Sequence, residues 1–316
     1  MLPELDRGVT VLPWDLRHGL YFADVELVIS TGTHSLTVAG SGVAGSAATA
    51  TARCYSEFYE RWCQLNWQLA GRSLTSYDLL TGEPAGVLEP PRGGRPDSTG
   101  SCAHGRGFER DALLHGLLEV VERDAVVRLL DRRLGHTVRV PPDAGPAVTR
   151  TAGRWGVVLR CYAIAGLWST AHAYTVVAVA RGARHGGALG AASHFRLDLA
   201  TEAACQQALM MYTTALHQRR RAEPAGFADL VRTADHIDDI LAELDDAGSA
   251  GALPAVLTGA TVGDLAEGVR QVFGQPPRYL RYHPYGLAVG DRVSLRVAVD
   301  GALDPRCVTR TPWPVG

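Results

Sequence analysis

Two segments with the same grammar constrain this chain more than anything else in it. From residue 40 the sequence reads GSGVAGSAATATARCYSEFYERW, a Gly-rich turn running into a helix that continues to about residue 69. From residue 97 it reads DSTGSCAHGRGFERDALLHGLLEVVERDAVVRLL, a Gly- and Ser-rich turn running into a helix over about residues 108–130. In the second segment Leu113, Leu117, Val120, Val121 and Leu129 recur at the i, i+3, i+4 spacing of an amphipathic helix. Each helix carries E-x-x-E-R: Glu57, Glu60 and Arg61 in the first, Glu119, Glu122 and Arg123 in the second, with Asp124 directly after. Residues three apart share a helix face, and two acids on one face repel each other. A positive charge therefore belongs between them, either an arginine or a metal ion. The plain alternative is a solvated charged face. The repetition of the motif, and its embedding in Ala- and Leu-rich sequence, argue against that alternative.

At 316 residues the chain buries a sizeable core, in one large domain or two tightly joined ones. The formal net charge is −2, so no nucleic-acid or anionic-membrane footprint is visible. No apolar run reaches transmembrane length, and MLPELDRGVTVLPWD lacks a signal-peptide pattern, so the expected location is the cytoplasm. The six cysteines (Cys54, Cys63, Cys102, Cys161, Cys205 and Cys307) form no C-x-x-C and no zinc-like spacing, and are expected to be reduced and buried. Cys102 stands apart because it falls in the turn before the second helix. All 31 fixed positive charges are arginine. A P-loop lysine and a Schiff-base lysine are thereby excluded, and any phosphate must be met by Arg, backbone N–H groups or metal.

Residues 21–29 (YFADVELVI) read as a strand and 36–39 as the end of another. Gly40 to Gly45 then spell G-x-G-x-x-G, which opens a dinucleotide-binding reading. The acid that reading requires should end a second strand about twenty residues on, whereas Glu57 and Glu60 lie inside a helix. Residues 71–100 read as a loop-rich surface connection with short extended pieces, and 141–146 as a loop. Residues 156–164 and 174–180 read as paired strands. Residues 178–192 are thick with Gly and Ala, and His194, read as a turn or capping histidine, leads into a helix over about 199–221. Helices are expected at 228–231, 237–244 and 262–273, strands at 278–282 and 293–299, and a solvated acidic cluster at Asp238, Asp239, Glu243, Asp245 and Asp246.

The run S-T-G…A-x-G…D-A-L-L-H-G-L-L-E-V-V-E-R-D-A resembles the central signature of YcaO-domain proteins, and A…A-R-C-Y-S-E-F-Y-E-R resembles their first nucleotide- and magnesium-binding helix. The resemblance implies a single YcaO-like domain over residues 1–316, an α/β (α+β) fold of mixed β-sheets covered by long helices. It implies ATP and Mg2+ as cofactors. It also implies phosphorylation of a backbone amide oxygen in a ribosomally made precursor peptide, leading to azoline or azole rings (thiazole or oxazole), thioamides or amidines. Carried over by position, Glu57, Glu60, Glu119 and Glu122 match acidic positions around metal and nucleotide, and Asp111 stands where a glutamate is usual. Arg61 and Arg123 match the arginines after each second acid. Glutamates meet ATP only through Mg2+, which bridges the phosphate oxygens.

The family's proline-rich tail, whose terminal carboxylate approaches the active site, is reduced here to Pro312-x-Pro314 before Gly316, and a bland terminal turn reads equally well. The resemblance also implies a homodimer and a partner, either an E1-like or TfuA-like protein or another YcaO subunit, with no nucleic acid and no membrane. Four positions depart from the pattern. Arg53 replaces a serine and Gly107 an asparagine, while Met211 and Gln207 stand where a third helix should offer a glutamate and, four before it, an arginine. Two functions follow: an ATP-dependent amide-activating enzyme, or a degenerate homologue that binds a peptide or partner without turnover.

Overall fold

The computed structural model describes residues 9–12, 20–31, 34–90, 101–105, 109–130, 136–142, 144–168, 172–182, 186–221, 245, 253, 260–282 and 292–302. The chain divides into two compact units, one from Met1–Val120 with Thr261–Asp300 and the other from Val121–Ala260 with Gly301–Gly316. No helix among the described residues is long and apolar enough to cross a membrane.

The first unit holds two antiparallel sheets. One runs in the order β1 (Val9–Leu12), β2 (Tyr21–Thr31), β3 (His34–Ala44). The other runs β5 (Pro84–Leu88), β4 (Leu74–Asp78), β11 (Arg278–Arg281), β12 (Arg292–Ala298), β6 (Ser101–Gly105). Helix α1 (Ala47–Ala70) packs on both. Its Ala50, Cys54 and Phe58 join Ala23, Val25 and Val38 in one core, and its Tyr59, Cys63 and Trp67 join Leu280 and Tyr282 in another. Ser46 caps the helix start by accepting from Thr49 N, and Gly71 ends it in the left-handed region at φ 61°, as a residue without Cβ does at little strain. A further helix, α5 (Val262–Phe273), opens on a capping box in which Thr261 and Asp264 satisfy each other's backbone N–H groups.

The second unit is built on one antiparallel sheet, β10 (Gly186–His194), β9 (Tyr174–Gly182), β8 (Val157–Ala165), β7 (His136–Val140). Tyr162, Ile164, Val177, Val179, Leu189 and Ala191 share one face and pack with Ala125 and Val126 from the C-terminal half of α2 (Glu109–Leu130). The other face carries α4 (Leu197–Arg221), against which Cys161 lies with its Sγ 3.3 Å from that of Cys205. A sheet buried on both faces needs no polar alternation, which is why 176–180 is an unbroken apolar run. The short helix α3 (Gly145–Arg154) starts with Pro146 in its first turn, where the missing N–H has no partner to lose.

The α+β arrangement of sheets and long helices is the expected one, and the ladders are antiparallel. Several local expectations need correcting. Gly40 and Gly42 are not a turn but lie inside β3, which excludes a dinucleotide loop there. Residues 186–194 form a strand rather than a Gly-rich turn, and Cys102 lies in strand β6. The 71–100 connection contains the β4–β5 hairpin. Helix α3 and strand β7 arise where only a loop, or nothing, was expected. Asp245 of the acidic cluster is tied to β8, accepting from Tyr162 Oη at 2.8 Å and Arg160 Nη1 at 3.2 Å. The expected helices at 228–231 and 237–244 lie outside the described residues.

His194 is the turn histidine that was expected. Its Nδ1 accepts from Arg196 N at 3.0 Å, which requires the neutral imidazole. Burial, reinforced by the charge of Arg196, holds its pKa below the usual 6.5. The folded state therefore binds fewer protons, so this contribution is complete above the unfolded pKa near 6.5 and is lost as pH falls from there toward the folded value. The protection factor of the Arg196 amide should accordingly drop between pH 7.5 and 5. A constant factor would show that the imidazole does not hold the turn.

Candidate functional site

Among the described residues strand β3 pairs with β2 alone, so its other edge presents backbone groups without a strand partner. Helix α1 runs along that edge and answers it with side chains four residues apart. Arg53 Nη1 donates to Val43 O at 2.6 Å, Glu57 Oε2 accepts from Ser41 N at 2.6 Å, and Arg61 Nη1 donates to Ala39 O at 3.3 Å. Ser41 Oγ also donates to Glu57 Oε2 at 3.0 Å, and Arg61 Nη2 pairs with Glu57 Oε1 at 2.5 Å. The Glu57 and Arg61 side chains are 27% and 31% exposed, so this face is held in place yet reachable from solvent. Glu60, on the same helix, is half-buried. Helix α1 lies this close because Gly40 and Gly42 have no side chain: a Cβ on Gly40 would stand 2.4 Å from Cys54 O, and one on Gly42 would stand 2.1 Å from Ala50 O.

On α2 the acids are graded by burial. Asp111 is exposed, Glu119, Glu122 and Arg123 are half-buried, and Asp124 is fully buried. Asp124 Oδ2 accepts from Arg128 Nε at 2.8 Å and from Trp168 Nε1 at 2.9 Å, fixing the helix immediately beyond Glu122 and Arg123. The charge of Asp124 thus has a structural use, while those of Glu119 and Glu122 face partly outward. Sequence reasoning passed over Ser41, whose partnership depends on a strand edge, and Arg128, whose i, i+4 spacing from Asp124 was readable in advance.

The donor set is all oxygen, which suits a hard cation such as Mg2+. The acids come as i, i+3 pairs, and among the described residues no three His, Cys, Asp or Glu side chains converge to hold a metal ion. Thiol chemistry is not on offer beside Glu57 and Glu60: burial pushes the Cys54 and Cys63 thiols up to about 12, keeping both protonated. Cys54, Cys63, Cys161 and Cys205 are all buried and free. Gly107 and Gly316 lie outside the described residues, as do Pro312 and Pro314.

A family model described as "YcaO cyclodehydratase, ATP- and Mg2+-binding" matches residues 84–275. The chain belongs to the YcaO family. ATP and Mg2+ are the cofactors by which that family is described. No curated protein matches the chain by sequence. Among solved structures, a YcaO protein from Methanopyrus kandleri bound with AMPPCP and Mg2+ superposes with a TM-score of 0.68 at 17% identity, covering 96% of this chain and 89% of that one. The E. coli microcin synthetase McbBCD complex with pro-MccB17 bound gives 0.65 at 12% identity, covering 92% and 87%. A heterocyclase in complex with substrate and cofactor gives 0.66 at 13% identity, covering 94% of this chain and 50% of that one. At these identities the likeness speaks for the YcaO fold.

Proposed function

We propose that this YcaO protein uses ATP and Mg2+ to activate a backbone amide of a ribosomally made peptide by O-phosphorylation, leading to an azoline, azole or related modification. The observation that carries this reading is the charge on Glu57. Closing the β3 edge needs only an acceptor for Ser41 N, and a neutral amide performs that task on α4, where Gln207 Oε1 accepts from Ala191 N at 2.8 Å. The strand edge does not need the negative charge at position 57, which pairs with Arg61, and a bound cation would give that charge a further use.

In this reading Glu57 and Glu60 on α1 and Asp111, Glu119 and Glu122 on α2 would supply oxygen ligands to Mg2+ ions brought in with ATP, and Arg123 and Arg61 would offset phosphate charge. Bound Mg2+–ATP would supply the phosphoryl group that converts the amide oxygen into a leaving group. Arg61 also orients the Glu57 carboxylate, and Asp124 anchors the stretch of α2 that bears Glu122 and Arg123. The McbBCD complex with pro-MccB17 bound supports a precursor peptide as substrate and a partner subunit for this reading, and a homodimer is part of the same proposal.

A specific observation favours a second reading, a non-catalytic scaffold: Gln207 is neutral, and Arg53, where the family has serine, is tied to a carbonyl. Calorimetry of Mg2+-dependent ATP binding separates the two. Micromolar binding that is lost in Glu122→Gln is the expected result, and no binding by the folded parent would sink the enzyme reading for the chain alone.

A further inference from the structure

The hairpin-and-helix β2–β3–α1 of the first unit and β9–β10–α4 of the second repeat one another at a constant offset of 150 residues, 40 to 190 and 57 to 207. Strands β3 and β10 end at Ala44 and His194, and helices α1 and α4 begin at Ala47 and Leu197. The Cβ-less crossing point recurs: a Cβ on Gly40 would meet Cys54 O and Phe58 N, and one on Gly190 would meet Ala204 O and Ala208 N. The edge contact recurs too, Ser41 N to Glu57 Oε2 at 2.6 Å and Ala191 N to Gln207 Oε1 at 2.8 Å. Burial along the helix has the same order, half-buried at 57, 60 and 61 with 58 and 59 buried, and half-buried at 207, 210 and 211 with 208 and 209 buried. The register that places Met211 at an acid position is therefore four residues late. Gln207 is the counterpart of Glu57, Met210 of Glu60 and Met211 of Arg61.

We infer that Gln207, Met210 and Met211 are the ligand-facing positions of a second copy of the α1 site, and that this copy is built neutral and holds no divalent cation. Every charge of E-x-x-E-R has been replaced, while the glycine crossing, the edge hydrogen bond and the exposure of the face have been kept. The orientation of Gln207 is fixed by its partner: a backbone N–H requires the side-chain oxygen, which turns Nε2 toward whatever approaches. The copy on α1 thus suits an anionic group bridged by a cation, and the copy on α4, an amide donor beside two thioethers, suits an uncharged one. The ligand assignment rests on the function proposed above, whereas the equivalence of positions does not.

The test uses Mn2+ alone, counted from the electron paramagnetic resonance of the free ion. Four proteins are titrated: the parent, Glu57→Gln, Gln207→Leu and the rebuilt Gln207→Glu/Met210→Glu/Met211→Arg. Parent binding should fall at least tenfold in Glu57→Gln and stay within twofold in Gln207→Leu, and the rebuilt protein should bind one more Mn2+ per chain. A folded rebuilt protein with no added ion, or a Gln207→Leu protein that loses binding, overturns the inference. If the triple variant fails to fold, Gln207→Glu/Met210→Glu serves under the same criterion. A parent that binds neither Mn2+ nor ATP defeats the proposed function, while the gain in the rebuilt protein still decides the inference.

Discussion

Glu57→Gln is expected to lower Mg2+-dependent ATP affinity by about 100-fold or more while leaving the fold close to its starting stability. The two halves of this expectation come from different atoms. The amide oxygen of the new glutamine replaces Oε2 as the acceptor for Ser41 N, the arrangement that Gln207 already adopts with Ala191 N. What disappears is the Arg61–Glu57 pair, about a third exposed and worth roughly 0–1 kcal/mol. The melting temperature should therefore move by no more than a few degrees. Glu57→Ala makes the contrast, because it leaves Ser41 N and Oγ without their acceptor and should cost about 1–3 kcal/mol. Calorimetry with ATP and Mg2+ beside thermal melts of both variants checks the pair. If Glu57→Gln retains parental affinity, the carboxylate at 57 serves only the strand edge and the enzyme reading loses its main support.

Much of the frame was legible because it is written in periodicity. The long helices, the β8–β9 pairing and helix α5 all follow from apolar spacing and end signals, and the E-x-x-E-R repeats stood out because like charges three apart require an explanation. What was misread shares one cause. Glycine and alanine at 40–45 and 186–192 suggest turns when only local conformational freedom is considered. Here Gly40 and Gly190 are small because a helix backbone rests on them, a tertiary fact that no window of neighbouring residues contains. The same limit hid the Glu57–Gln207 equivalence: within 57–61 and 207–211 no residue is identical, and the shared edge bond exists only in the folded chain. Helix α3 is a different lapse, since a proline in the first turn is a start signal readable in advance. Asp245 read as solvated because its partners, Arg160 and Tyr162, lie more than eighty residues away in sequence.

If close helix-on-strand approach is what these glycines serve, one methyl group should act with opposite signs at different positions. In Gly40→Ala the new Cβ would stand 2.4 Å from Cys54 O, 2.5 Å from Phe58 N and 2.8 Å from Phe58 Cα. In Gly190→Ala it would stand 2.3 Å from Ala208 N and 2.5 Å from Ala204 O. All are backbone atoms, so no rotamer change relieves the clash, and the whole helix must lift from its strand. Overpacking of this kind costs about 3 kcal/mol, a drop of roughly 6–12 °C in melting temperature. Gly153 on α3 meets nothing within 4 Å, so Gly153→Ala only removes a flexible residue from a helix and should add about 0.5–1 kcal/mol. Amide exchange supplies the local readout, with protection falling along α1 in Gly40→Ala and along α4 in Gly190→Ala. Lifting α1 also pulls Glu57 from Ser41, so Gly40→Ala should weaken Mg2+-dependent ATP binding although it touches no charged group. Parental stability in both glycine variants would mean that the helices do not rest on their strands, and the shared geometry that equates Gln207 with Glu57 would fall with them.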